Sequence, residues 1–470
     1  MAGCVEVVRY PQITCWREAV NYRMHQRRPR ACYISQSMLA GNRRARADRS
    51  ISSMRPQPTP SSRATTHVFA SQPLPTAIYL DYHATTPVDE RVLDSMLPWL
   101  REHVGNPHSH THAAGRVARE AIEHARAQIA DLLSATVDEV LFTSGATEAT
   151  NIALRGAIEK RRGAVVTTAI EHSCVRETVA ALAKRGVAVT TVSTGTDGVV
   201  SPDDVAAAID ERTRLVSVMF VNNETGVVQP VEEIAGICRT ASVLFHSDAA
   251  QALAHVAIDT RTLLADYLSL SAHKVYGPPG IGALYCRASA RAQLRPIFTG
   301  GGQERGLRPG TLPTALCVGF GAACAILARE GETERARIEL LRDELLERLR
   351  TGVPGLQVNG TLHPRTAGNL NVAFDGVDAD LLLARLPDVA LSTGSACASA
   401  ALEPSHVLTA MGLPRERVLS SVRIALGRQT TRDDIQRAAA RISEEVAAIR
   451  GHLAAVSGSR RAVASGSRSA

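Results

Sequence analysis

From Val140 onward the chain alternates two kinds of apolar pattern. Short apolar runs at 140–143, 164–170, 187–193, 214–221, 242–246, 266–270 and 282–286 have the length of strands and the near-continuous apolar character of strands covered on both faces. Between them, 148–160, 174–185, 203–211 and 231–240 carry apolar residues at helical spacing. This alternation predicts an α/β domain on a mostly parallel sheet. Upstream, Thr86-Pro87 reads as a helix start, Thr as cap and Pro in the first position, with Leu93, Met96, Leu97 and Leu100 following at helical spacing. A second helix carries Val117, Ala121, Ile122, Ala125, Ile129 and Leu132 on one face. Downstream, the charged stretch Glu332–Arg350 breaks the rhythm, and a smaller α+β segment follows a boundary predicted near 330.

Composition limits the classes. The 470 residues are 45% apolar and 21% charged, which supports two or three globular domains. No stretch approaches the roughly 20 uninterrupted apolar residues of a membrane-spanning helix, so no membrane association is expected. The net charge of +7 is uneven: residues 1–75 contribute +9 and the remainder −2. The basic balance therefore belongs to an Arg/Ser/Pro-rich extension, 1–75, expected to be disordered, and no nucleic-acid groove is indicated. That extension reads either as an organellar transit peptide or as an overlong start with Met54 as the true first residue. The second is favoured, because arginine dominates the whole chain: Lys160, Lys184 and Lys274 stand against 50 arginines. The nine cysteines are odd in number and include no CxxC pair, which argues against structural zinc and a disulfide framework. The Ser/Gly/Arg-rich residues 456–470 are expected to be a disordered tail.

Three lysines leave few places for lysine chemistry. Lys160 and Lys184 end helical patterns, where a cation suits the dipole. Lys274 follows an apolar strand in Ser271-Ala-His-Lys-Val-Tyr-Gly, the kind of loop where parallel sheets present function. A lysine that condenses with a carbonyl needs a site that lowers its pKa. Ser144-Gly-Ala-Thr-Glu follows a strand and opens a helix, either a phosphate cradle or an ordinary helix start. Asp248, at the end of the strand before that of Lys274, suits a carboxylate facing a pyridinium nitrogen. His172 and Asn223 also fall at strand ends. His103, His108, His110 and His112 match no zinc spacing and read as loop histidines. Cys397 lies in a run of small polar residues that favours an exposed, reactive thiol. Cys174, Cys238, Cys286, Cys317 and Cys324 lie in apolar patterns and read as structural.

Taken in order, Tyr79-Leu-Asp-Tyr-His-Ala-Thr-Thr-Pro, Gly105-Asn-Pro-His-Ser-His-Thr-His, Ser144-Gly-Ala-Thr-Glu, Asn222-Asn-Glu-Thr-Gly, Ser271-Ala-His-Lys-Val-Tyr-Gly-Pro, Arg308-Pro-Gly-Thr and Gly394-Ser-Ala-Cys resemble the cysteine desulfurases of iron–sulfur assembly over roughly 76–450. The resemblance implies the aspartate-aminotransferase-like (type I) pyridoxal-phosphate fold. It divides the chain into a large domain at 89–330 with a seven-stranded, mostly parallel sheet, and a small α+β domain at 76–88 and 331–455 carrying the cysteine loop. It implies a homodimer. Lys274 would hold pyridoxal 5'-phosphate, Asp248 would pair with its ring nitrogen, Gln251 would bond the ring hydroxyl, and His172 would stack on the ring and move protons. Ala146, Thr147, Ser271 and His273 would hold the phosphate, and Thr311 would reach the phosphate of the neighbouring subunit. Asn223 and Arg423 would grip the carboxylate of L-cysteine. Cys397 would take the sulfur as a persulfide and pass it to an acceptor protein, a scaffold or a thiolation relay. No resident metal is expected, with transient iron or iron–sulfur contact only through Cys397. The C-terminal end, from Val456, departs from the tail by which assembly-type members engage their scaffold, which favours a cytoplasmic bacterial enzyme over a mitochondrial one. A selenocysteine lyase or class V aminotransferase is the alternative reading.

Overall fold

The computed structural model describes residues 77–394 and 404–466, with side chains to 455. Its strands are β1 (Ile78–Tyr79), β2 (Val140–Thr143), β3 (Ala164–Thr168), β4 (Val189–Val192), β5 (Thr213–Ser217), β6 (Leu244–Asp248), β7 (Tyr267–Ser271), β8 (Gly282–Cys286), β9 (Leu356–Val358), β10 (Asn369–Phe374), β11 (Val389–Ala390) and β12 (Ser421–Ala425). Its helices are α1 (Glu90–Arg101), α2 (Ala113–Leu133), α3 (Ala146–Lys160), α4 (Ser173–Lys184), α5 (Pro202–Ala208), α6 (Val231–Thr240), α7 (Thr260–Leu263), α8 (Thr314–Gly352), α9 (Ala379–Ala384), α10 (His406–Ala410), α11 (Arg415–Leu419) and α12 (Arg432–Gly466).

All seven apolar runs become strands of one sheet, in the order β2-β8-β7-β6-β5-β3-β4. Only β8 runs against its neighbours. Every other strand therefore ends at the same edge of the sheet. The two-residue period of a strand divides the side chains between two layers. Leu141, Leu244, Tyr267 and Leu284 face a core shared with α3 and α4. Phe142, Phe245, Leu268 and Ala283 face a core shared with α2, α6 and α8. A separate core, with Leu345, Leu370, Val422 and Ile442, lies on the antiparallel sheet β12-β10-β9.

Several sequence expectations shift. Helix α1 starts at Glu90, not after Thr86, and its cap is Asp89, which accepts from the Arg91 amide at 3.0 Å. Thr86 is claimed by a tertiary contact instead: its hydroxyl donates to the His273 carbonyl and accepts from the Tyr276 amide. The buried face of α2 is Ala118, Ile122, Ala125, Ile129 and Leu133, and Val117 is exposed. The boundary predicted near 330 falls inside α8, one unbroken helix whose first half fills the large core and whose second half fills the small one. The apolar first half of α8 would pass for a membrane span by length and composition, but it packs against α1 and α2 as a core helix. Within 331–455, Val407, Leu408, Met411 and Val418 pack into the large core. Helix α12 runs on to Gly466, into the tail expected to be disordered; extending a helix already nucleated costs little. Residues 1–75 and Cys397 lie outside the described residues.

Candidate active site

Because all strands but β8 end together, one edge of the sheet collects Ser144–Thr147 after β2, His172 after β3, Asn223 after β5, Asp248 on β6 and Ser271–Lys274 after β7. The Lys274 amine donates to the backbone carbonyls of His83 and Ala84, at 2.6 and 2.7 Å. Gln251 Nε2 donates to the same His83 carbonyl at 2.8 Å. The lysine loop is braced by further bonds from this strip: Thr86 to His273, and the Asp89 amide to the Tyr276 carbonyl at 3.0 Å. The strip is also tied to the small core, through Leu80 to Ala390 and Ala425. His273 bonds Thr85 Oγ1 at 3.1 Å, and burial lowers its pKa to about 4, so its imidazole is neutral.

Asp248 is 5% exposed. One carboxylate oxygen accepts from the Ala250 amide at 3.0 Å, and the other lies 3.4 Å from the Cys174 thiol. His172 caps α4, its Nδ1 accepting from the Cys174 amide at 3.2 Å. That bond assigns the proton of the neutral ring to Nε2. His172, Cys174 and Asp248 present donor atoms within 4.8 Å of one another.

At the start of α3, Ala146 and Thr147 come before the first intrahelical bond, Ala149 amide to Gly145 carbonyl, so their amides point out of the helix. Gly145 has φ +156 and open space where a side chain would stand. Gly282 must be glycine, since a Cβ there would lie 2.6 Å from Gly145 Cα. Ser271, next to this turn, is buried. Thr311 is exposed, in a segment tied to α3 by the Arg308–Glu148 ion pair at 3.0 Å.

Arg423 enters from β12 of the other sheet and is 3% exposed. Its two terminal nitrogens bind Asp81 Oδ1 at 2.7 Å and the Asn223 carbonyl at 3.0 Å. Its Nε and the Asn223 Oδ1 are buried without a partner. Two buried carboxyls lie nearby. Burial pushes Glu171 up to about 8 and raises Glu224. Glu224 accepts from Ser405 at 2.5 Å and lies against Gly394, so it touches both flanks of the segment containing Cys397.

Sequence reasoning missed Cys174, Asp81 and Thr86. Cys174 sits in an apolar helical row, which hides its contact with Asp248. The only sequence signal for Asp81 is a charge among the apolar residues around β1. The donor set fits pyridoxal phosphate: an amine, a buried carboxylate, exposed helix-start amides and unpartnered buried polar atoms.

The aminotransferase class-V family model matches residues 78–438. A probable mitochondrial cysteine desulfurase of Dictyostelium discoideum is 45% identical over 361 residues, 76% of this chain and 80% of that protein. The cysteine desulfurase IscS of Rickettsia akari is 42% identical over 376 residues, 79% and 92% of the two chains. A solved NifS-like protein superposes with a TM-score of 0.74 at 34% identity, over 79% of this chain and 99% of its own.

Proposed function

The chain belongs to the cysteine desulfurase family within the class-V aminotransferases, and from that premise we propose that it uses Lys274, Asp248, His172 and Cys397 to move sulfur from L-cysteine to an acceptor protein. The family depends on pyridoxal phosphate. In this chain Lys274 would hold the cofactor, the Ala146 and Thr147 amides with Ser271 and His273 its phosphate, Asp248 its ring nitrogen and Gln251 its ring hydroxyl. When bound, the cofactor supplies an electron sink for the charge left when the substrate Cα–H bond breaks.

The chain's residues do the rest. Arg423 and Asn223 hold the substrate carboxylate, which aims the Cα–H at Lys274. The Lys274 amine takes that proton. The Cys397 thiolate forms a bond to the substrate sulfur as the substrate Cβ–S bond breaks. The electron pair goes to Cβ, which gains a proton, the protonated Lys274 returns a proton to Cα, and L-alanine leaves. Cys397 keeps the sulfur as a persulfide. Cys397 then serves an iron–sulfur scaffold or thiolation relay. His172, with its proton on Nε2, suits the transfers at the ring face. What carries this reading is the meeting on one sheet edge of a lysine, a buried carboxylate and a helix-capping histidine, with Arg423 arriving from the second sheet. We further propose a homodimer in which the exposed Thr311 reaches the phosphate of the second subunit, and a cytoplasmic enzyme, with mitochondrial import through residues 1–75 as the alternative.

The test is an absorption spectrum followed by L-cysteine turnover in wild type, Cys397→Ser and Lys274→Ala. The expected result is a visible cofactor band and alanine from wild type, the band without alanine from Cys397→Ser, and no lysine-bound band from Lys274→Ala. Equal alanine from wild type and Cys397→Ser would refute the role of the thiol.

A further inference from the structure

We infer that Cys174 is a further positioning residue of this site: its thiol donates to Asp248 and fixes the carboxylate that faces the cofactor's ring nitrogen. The inference rests on the proposed role of Asp248.

The direction of the bond follows from its neighbours. The Cys174 sulfur lies 3.4 Å from Asp248 Oδ2 and 3.8 Å from Thr150 Oγ1. Thr150 gives its proton to Ser269 Oγ at 3.0 Å, so toward the thiol it can only accept. Ser269 continues to His246 Nε2 at 2.9 Å, and His246 Nδ1 to Ser217 at 2.8 Å, a buried polar row beneath the site. The single thiol proton thus has two acceptors, and an ionised carboxylate is the stronger. Burial and the nearby Asp248 charge both push the thiol far up, so it stays protonated and keeps its role as donor. Cys174 also orients the other ring-facing residue, because its amide is the donor to His172 Nδ1. One residue at the start of α4 thereby sets both His172 and Asp248. Substitution by alanine removes only the thiol and leaves the amide in place.

The experiment compares the holoenzyme of wild type, Cys174→Ala, Cys174→Ser and Asp248→Asn, with thermal unfolding as a check on folding. Two quantities are read: the pH midpoint of the visible cofactor band and the rate of cofactor loss on dialysis. Cys174→Ala should lose cofactor about fivefold faster, equal to ~1 kcal/mol. Its midpoint should move by roughly half a pH unit. Cys174→Ser, which keeps a donor, should return toward wild type, whereas a residue that only fills space predicts that serine does no better than alanine. Superposition of wild type and Cys174→Ala, or a serine variant that tracks alanine, overturns the inference while Asp248→Asn still shifts both readings. If Asp248→Asn shifts neither, the reading of Asp248 itself fails, and this inference with it.

Discussion

The proposed substrate clamp gives the most quantitative expectation. Arg423 is almost fully buried, and Asp81 and the Asn223 carbonyl already hold two of its nitrogens. Its side chain is therefore fixed, and its unpartnered Nε is a donor ready for a carboxylate. Arg423→Lys keeps the charge and a bond to Asp81 but loses the planar fork. At least one charge-assisted hydrogen bond to the substrate disappears. Such a bond is worth about 1.5–3 kcal/mol, which corresponds to roughly 10- to 150-fold. The carboxylate is bound equally before and during bond breaking, so the loss should appear in KM, with kcat held within about threefold. The assay is alanine formation against L-cysteine concentration, with the cofactor band recorded to show that loading is intact. L-Cysteine methyl ester, which carries no carboxylate, should narrow the gap between variant and wild type. An unchanged KM with a collapsed kcat would refute the assignment and move Arg423 into the chemistry.

Three other expectations follow from buried polar groups. Glu304→Ala removes the buried partner of Arg126, 3% exposed and bonded to both Glu304 oxygens at 2.8 and 2.9 Å, leaving it only the exposed Glu123 and the Val140 carbonyl, and leaves the Phe142 amide without Glu304. It should cost about 3–5 kcal/mol in denaturant unfolding, and a loss below ~1 kcal/mol would contradict the burial argument. Glu171 titrates near 8 when folded, against an ordinary value of 4.5, so between those values the folded state binds a proton that the unfolded state lacks. Its contribution is complete below the unfolded value and is lost as pH climbs toward 8. Glu171→Gln, which keeps an acceptor for Thr168 and the Met219 amide, should flatten that slope by up to ~1.4 kcal/mol per pH unit. Parallel stability curves for wild type and variant would show that Glu171 does not carry the proton. Thr86→Val removes two bonds from the lysine loop and should destabilise cofactor retention by about 1–3 kcal/mol. Dialysis of the loaded enzyme measures that change, and wild-type retention would exclude Thr86 as a brace.

The sheet was readable because strands buried on both faces have few ways to spell themselves. All seven apolar runs are in one sheet. Lys274, Asp248, His172 and Asn223 could be grouped from sequence because parallel strands end at one edge, so a residue just past a strand has a known address. Arg423 could not be placed by that rule, since it reaches the edge from the second sheet, and only the resemblance named it. Cys174 is buried as its pattern implied, but its contact with Asp248 was not legible, because hydrophobic periodicity shows which side of a helix is buried but not what that side meets. Thr86 and Asp89 show a different limit: both make good caps, and the choice is decided by Tyr276 and His273, nearly two hundred positions away. The boundary expected near 330 lies where α8 passes from the large core to the small one, and the helix itself gives no sign of it because it continues unbroken.

The strip from Leu80 to Asp89 couples the two cores mechanically. One end is stitched to Ala390 and Ala425, the other to Lys274, His273 and Tyr276. A swing of one lobe against the other would pull on the amine through bonds of 2.6 to 3.1 Å before it opened any path to the amine. The Lys274 nitrogen thus stands at the end of a short tether. In such a frame the two lobes should keep one relative orientation with and without L-cysteine.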